Sequence, residues 1–155
     1  MPKLFYLNEI IKFAIEKEKE SIELYKKLGD QATVEEVEDL FHTLMLEEEK
    51  HEKFYTKLSE IAQKEQSPGV KEDAEYDAYM QELISASRSV PPLSLEKLSS
   101  IKTALDYAAD REKDSIVFYT GLKDYLPTHE KEKIDVVIKE EAKHLAKLLL
   151  LKKRL

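Results

Sequence analysis

Cysteine is missing from all 155 residues. That one absence removes disulfides, thiolate zinc sites, iron–sulfur clusters and any cysteine nucleophile. A reducing, cytoplasmic setting is the expected one. Glycine, at 3 residues, and proline, at 5, are scarce, and nearly all of them lie outside the periodic segments. No apolar run approaches the roughly 18 residues a membrane helix needs. No apolar stretch follows the charge at the start, so no signal peptide is expected either. An excess of positive charge is also lacking. The formal net charge is −7, the wrong sign for nucleic acid.

What is present is charge and apolar periodicity together. Charged residues make up 37 % and alternate with apolar ones at helical steps, which points to an all-α protein. The length suits one domain with a real core. A first helix is expected over 4–28, with a stripe of Leu7, Ile11, Ala14, Glu18, Ile22 and Tyr25. Gly29-Asp30 is expected to end it. A second is expected over 34–64, opened by Thr33 and Glu36 as a capping box. Its stripe reads Val37, Phe41, Leu44, Glu48, His51, Tyr55 and Leu58.

Residues 65–93 read as a long, partly helical crossover with Ser67-Pro68-Gly69 and Pro91-Pro92 as breaks. Its weak helix, 71–87, is read as a connection and not a core element. The Tyr76, Tyr79 and Met80 face of it is expected to be exposed and available for a homodimer. A crossover of that length is expected to bring the third main helix back to the end where the first began. That helix spans 94–125, with Ser94 as its cap and Ile101, Ala104, Ala108, Glu112, Ser115, Tyr119 and Leu122 as its stripe. The fourth spans 129–155 and carries Ile134, Val137, Glu141, His144, Leu148 and Leu151. Helices joined by short turns lie antiparallel, so hairpins 4–64 and 94–155 are expected to form one four-helix bundle over 1–155.

Each stripe is interrupted by acid or imidazole where Leu or Ile would be expected. The interruptions repeat. Glu112 follows Glu18 by 94 residues, Glu141 follows Glu48 by 93, and His144 follows His51 by 93. Residues 14–25 and 108–119 share six of twelve identities. A helix pair therefore occurs twice, and a pseudo-two-fold axis should bring Glu18, Glu48, His51, Glu112, Glu141 and His144 together. Four carboxylates in an apolar core repel one another and must take up protons or cations. Two divalent ions balance them. Carboxylate and imidazole donors without thiolate suit iron or manganese, and zinc is compatible.

One Glu-x-x-His in a helical protein carries little weight. Two at matching repeat positions, each on a core stripe and each with a matching Glu, are specific. His42 and His129 lack that context and are read as surface or cap residues. Glu47, Glu49 and Glu140 point away from the stripe and are read as solvated. Ser21 and Ser115 are read as bonding back to their own helix.

On both Glu-x-x-His motifs and both Glu-x-x-Ser-x-x-x-Tyr segments, the chain resembles the ferritin-like superfamily, and within it the rubrerythrin-type diiron carboxylate proteins. The resemblance covers nearly the whole chain. It implies two iron ions, with Glu18 and Glu112 as terminal ligands, Glu48 and Glu141 as bridges, and His51 and His144 binding one metal each. Tyr25 and Tyr119 would hold ligand carboxylates by hydrogen bonds. Dioxygen or hydrogen peroxide is the implied oxidant. Two departures stand out. The four cysteines of a rubredoxin-like domain are absent, so electrons would come from a separate donor protein. The additional Glu that rubrerythrins carry one turn after the third-helix ligand is Ser115 here. The expected activity is thus that of a diiron oxidoreductase, peroxidase- or ferroxidase-like and tied to oxidative stress. Its competitor is a non-catalytic protein that stores or senses iron, and the blandest reading is an interaction module with a vestigial site.

Overall fold

The computed structural model describes residues 7–65, 74–89 and 100–155. These form five helices and, among the described residues, no strand: α1 (Leu7–Gln31), α2 (Glu35–Glu65), α3 (Ala74–Ser89), α4 (Ile101–Lys123) and α5 (Thr128–Arg154). The four long helices are those read from periodicity, and their ends differ from the expected ones by local chemistry. α1 runs past Gly29 to Gln31. α2 starts at Glu35, so Val34 and not Thr33 precedes it, and the Val34 carbonyl accepts from the Val37 and Glu38 amides. The Ser94 cap lies outside the described residues. Ser100 caps α4 instead, its Oγ accepting from the Thr103 amide at 3.2 Å. Pro127 precedes α5, where its missing N–H costs nothing.

α1 packs along α2, and α4 along α5. Tyr25 stacks on Phe41 with ring centroids 5.9 Å apart, while Glu18 lies beside His51. Numbers rise on α1 as they fall on α2, so the pair is antiparallel. The two hairpins meet through α1 against α4 and α2 against α5. Tyr25 reaches Glu112, and Glu18 receives Tyr119. α4 therefore runs antiparallel to α1 and starts at the end where α1 finishes. This corrects the expected direction. Two hairpins related by a two-fold axis across the bundle must oppose α1 to α4, and a long crossover is what carries the chain back along the bundle to do so.

The core is split in two by a polar layer. One apolar cluster includes Leu7, Ile10, Ile11, Phe13, Leu58, Phe118, Leu122 and Ile134; the other includes Leu28, Val37, Phe41, Leu44, Leu105, Leu148 and Leu151. Each such side chain stabilises the fold by about 1.5–3 kcal/mol when fully buried. That apolar majority is what allows the bundle to hold charged groups between the clusters.

α3 is more than a connection. Met80 and Ile84 belong to the first apolar cluster. Tyr76 donates its hydroxyl to the Gly121 carbonyl at 2.5 Å, and Tyr125 donates to Asp77 Oδ1 at 2.5 Å. Of the face expected to be exposed, Tyr79 is 45 % exposed, Tyr76 is half-buried and Met80 is fully buried. Gly121 is the reason. A Cβ there would lie 2.6 Å from Met80 Sδ, so any larger residue would have to push the Met80 side chain aside.

Candidate metal centre

The six interrupting residues converge. Glu18, Glu48, His51, Glu112, Glu141 and His144 are each no more than 2 % exposed. They come from four helices: Glu18 from α1, Glu48 and His51 from α2, Glu112 from α4, Glu141 and His144 from α5. Their heptad-like steps aim each side chain inward, because the flanking stripe positions must be buried. Two overlapping groups result. Glu18, Glu48, His51 and Glu141 offer donor atoms all within 4.8 Å of one another, and so do Glu48, Glu112, Glu141 and His144. Glu48 and Glu141 belong to both.

The two imidazoles stack with centroids 5.7 Å apart and planes at 21°. His51 Nδ1 lies 3.0 Å from Glu141, 3.4 Å from Glu48 and 3.8 Å from Glu18. His144 Nδ1 lies 2.9 Å from Glu48, 3.3 Å from Glu141 and 3.6 Å from Glu112. Both Nδ1 atoms face the carboxylates, and both Nε2 atoms face outward. His51 Nε2 meets Glu140 Oε2 at 2.6 Å, and His144 Nε2 meets Glu47 Oε2. A carboxylate on Nε2 keeps the proton there and leaves the Nδ1 lone pair for the centre.

Glu47 and Glu140 therefore do not play the solvated role read from the sequence. Each is still partly exposed, yet each orients the histidine of the opposite hairpin. The signal was available in the repeat: Glu140 follows Glu47 by the same 93 residues that separate the two histidines. Helical phase placed both off the stripe. It could not show that a long side chain at the seam between α2 and α5 crosses to the neighbouring helix.

The tyrosines cross as well. Tyr25 donates to Glu112 Oε1, and Tyr119 donates to Glu18 Oε1 at 2.5 Å. In both carboxylates the other oxygen, Oε2, is buried without a hydrogen-bond partner. Glu141 has both oxygens unpartnered, Glu48 has Oε1, and both Nδ1 atoms lack a well-aligned hydrogen bond. Unpartnered buried polar atoms are costly. Seven of the ten among the described residues belong to these six side chains, and all seven are atom types that ligate metals. The donor set fits two divalent cations on that ground.

Electrostatics agree. Burial, followed by the charges of Glu48 and Glu141, raises the Glu18 carboxyl well above its usual range. Burial opposes the charged form of His51, but contacts with Glu141 and Glu48 outweigh it and lift the ring to about 11. His144 is raised in the same way, against burial, by Glu112, Glu141 and Glu48. Without cations, protons must take the place of positive charge.

His42 is exposed, and His129 is exposed with its ring 3.4 Å from Glu130. Ser21 Oγ accepts from Arg111 across the α1–α4 seam at 3.4 Å. Tyr55, which the sequence marked only as a stripe residue, is fully buried beside Tyr119 with its hydroxyl unpartnered.

The family model described as Rubrerythrin matches residues 9–152. The chain belongs to the rubrerythrin family. Among solved structures it resembles a Thermotoga maritima protein, provisionally described as a ferritin-like diiron-carboxylate protein. That match has 22 % identity and a TM-score of 0.69, and it covers 99 % of this chain and 98 % of the other. At that identity the likeness shows a shared bundle fold. No match is found among curated proteins. Among the described residues, no helix is long and apolar enough to cross a membrane.

Proposed function

We propose that this rubrerythrin-family chain binds two iron ions between its hairpins and is an oxidoreductase acting on dioxygen or hydrogen peroxide. The observation that supports it most is the pair of overlapping donor groups sharing Glu48 and Glu141. Glu18 and His51 would hold one ion, and Glu112 and His144 the other. Glu48 and Glu141 would bridge them. Manganese and zinc suit the same donors. Bound iron supplies the electrons for reducing the oxidant.

The chain's own residues do the rest. Tyr25 and Tyr119 hold one oxygen of each terminal carboxylate and leave the other turned to the centre. Glu47 and Glu140 keep the histidine protons on the outer nitrogens. The apolar clusters on either side exclude bulk water, so carboxylate charge is felt at full strength. Electrons for repeated turnover would come from a separate donor protein, in a reducing cytosol.

One observation favours a second reading, in which iron is held or sensed without turnover. One turn after Glu112 stands the buried Ser115, so the pocket has no seventh carboxylate from that position. Protein reconstituted anaerobically with ferrous iron separates the readings. Two irons per chain and reductant-dependent peroxide consumption support the enzyme. Turnover no faster than that of a Glu18→Ala/Glu112→Ala variant sinks it and leaves the holding role.

A further inference from the structure

The dinuclear pocket is symmetric in its charged residues and asymmetric at its edge. On α2 the step of four after His51 is Tyr55; on α5 the step of four after His144 is Leu148. Both are fully buried. The repeat thus places a phenol on one side of the pocket and an isobutyl group on the other. The Tyr55 ring lies 4.9 Å from that of Tyr119, whose own hydroxyl is taken up by Glu18. Tyr55 shares its stripe with Glu48 and His51, so its hydroxyl belongs to the Glu18–His51 side.

That hydroxyl has no hydrogen-bond partner, although it is buried. It is close enough to Glu18, Glu141 and Glu48 for their charges, after burial, to raise the phenol well above its usual range. It donates to none of them. A buried and unpartnered phenol beside a cluster of metal donors is a hydrogen-bond donor without an acceptor. Ordinary core packing would be served as well by phenylalanine, without the desolvation cost.

We propose that Tyr55 is a positioning residue: it donates a hydrogen bond to a small oxygen- or nitrogen-terminated ligand entering on the Glu18–His51 side. The Leu148 side offers no donor at the matching position, so the ligand is held at one end of the pair. This rests on the metal-binding part of the function proposed above, and not on turnover. It gives a reason for a tyrosine where the repeat alone would accept leucine.

The test uses cobalt(II), which reports ligand binding in its visible bands without redox chemistry, and azide as the small ligand. Wild-type and Tyr55→Phe proteins are loaded with cobalt, their metal content is measured, and azide is titrated. Both are expected to hold two cobalt ions per chain. The variant is expected to bind azide about tenfold or more weakly, the effect of losing a hydrogen bond to a charged acceptor. Metal-free Tyr55→Phe is expected to be at least as heat-stable as metal-free wild type, since no protein group loses a partner. Equal azide affinity within about twofold overturns the proposal. So does a variant that cannot fold or hold two cobalt ions, because the hydroxyl's role is then structural. Wild-type protein that takes up no cobalt overturns the metal site itself, and this inference with it. Leu148→Met, which adds no donor, is expected to leave azide affinity unchanged.

Discussion

The Tyr25 hydroxyl bonds Glu112, on the opposite hairpin, and not Glu18 on its own helix. Tyr119 repeats the bond in reverse, to Glu18. The histidines do the same with Glu140 and Glu47. Every group that orients a candidate ligand therefore comes from the other copy of the repeat. The centre and the docking of the hairpins are coupled: neither hairpin can present a correctly held site alone.

Removing one tyrosine hydroxyl should loosen one terminal carboxylate while leaving the ring in place. Tyr25→Phe and Tyr119→Phe are each expected to weaken metal binding by about tenfold or more, the usual effect of losing an outer hydrogen bond to a ligand. Competition with a colorimetric chelator measures it. Affinity equal to wild type in both variants would show that the carboxylates are held by packing alone.

Glu47→Gln and Glu140→Gln keep shape and remove the acceptor charge. Each is expected to lower metal affinity by about tenfold, and the effect should pair across hairpins. Glu47→Gln should perturb the ring resonances of His144 and spare those of His51. Nuclear magnetic resonance of the zinc-loaded protein reads this directly, and a perturbation confined to His51 would contradict the crossed arrangement.

Stripping the metal should expose the proton dependence. His51 is held at about 11 and Glu18 well above its usual range, both above their unfolded values of about 6.5 and 4.3. Groups raised on folding stabilise fully below their unfolded pKa and lose that contribution as pH rises through the folded one. The chelated protein is thus expected to lose stability steadily as pH climbs from about 4 towards about 11. The loaded protein should change less, because cations replace the protons. Melting temperatures at about pH 5, 7 and 9, with and without chelator, test it; a metal-free protein that gains stability over that span refutes it.

Gly121→Ala should destabilise the fold despite alanine's better helix propensity. The propensity gain is about 1 kcal/mol, while forcing a methyl against buried Met80 costs about 1–3 kcal/mol. A net loss of up to about 2 kcal/mol is expected in chemical denaturation. Met80→Ala will itself destabilise a buried position, but Gly121→Ala should cost less in that background than in wild type, as a double-mutant cycle would read. If Gly121→Ala is stabilising, α3 does not seat on α4 as the structure has it.

The sequence by itself determined the helices, the apolar stripes and the six interrupting residues, because helical periodicity and an internal repeat are one-dimensional signals. It also determined that two copies of one hairpin must share a centre. Tertiary structure decided what periodicity cannot carry. It set α4 antiparallel to α1, turned Nδ1 of each histidine inward and sent Tyr25, Tyr119, Glu47 and Glu140 to partners on the opposite hairpin. It also seated α3 against Gly121. The physical reason is shared. A helical step tells which face a side chain leaves from, whereas the atom it meets depends on how neighbouring helices are docked. That docking is settled by apolar packing above and below the polar layer, among residues far apart in the chain.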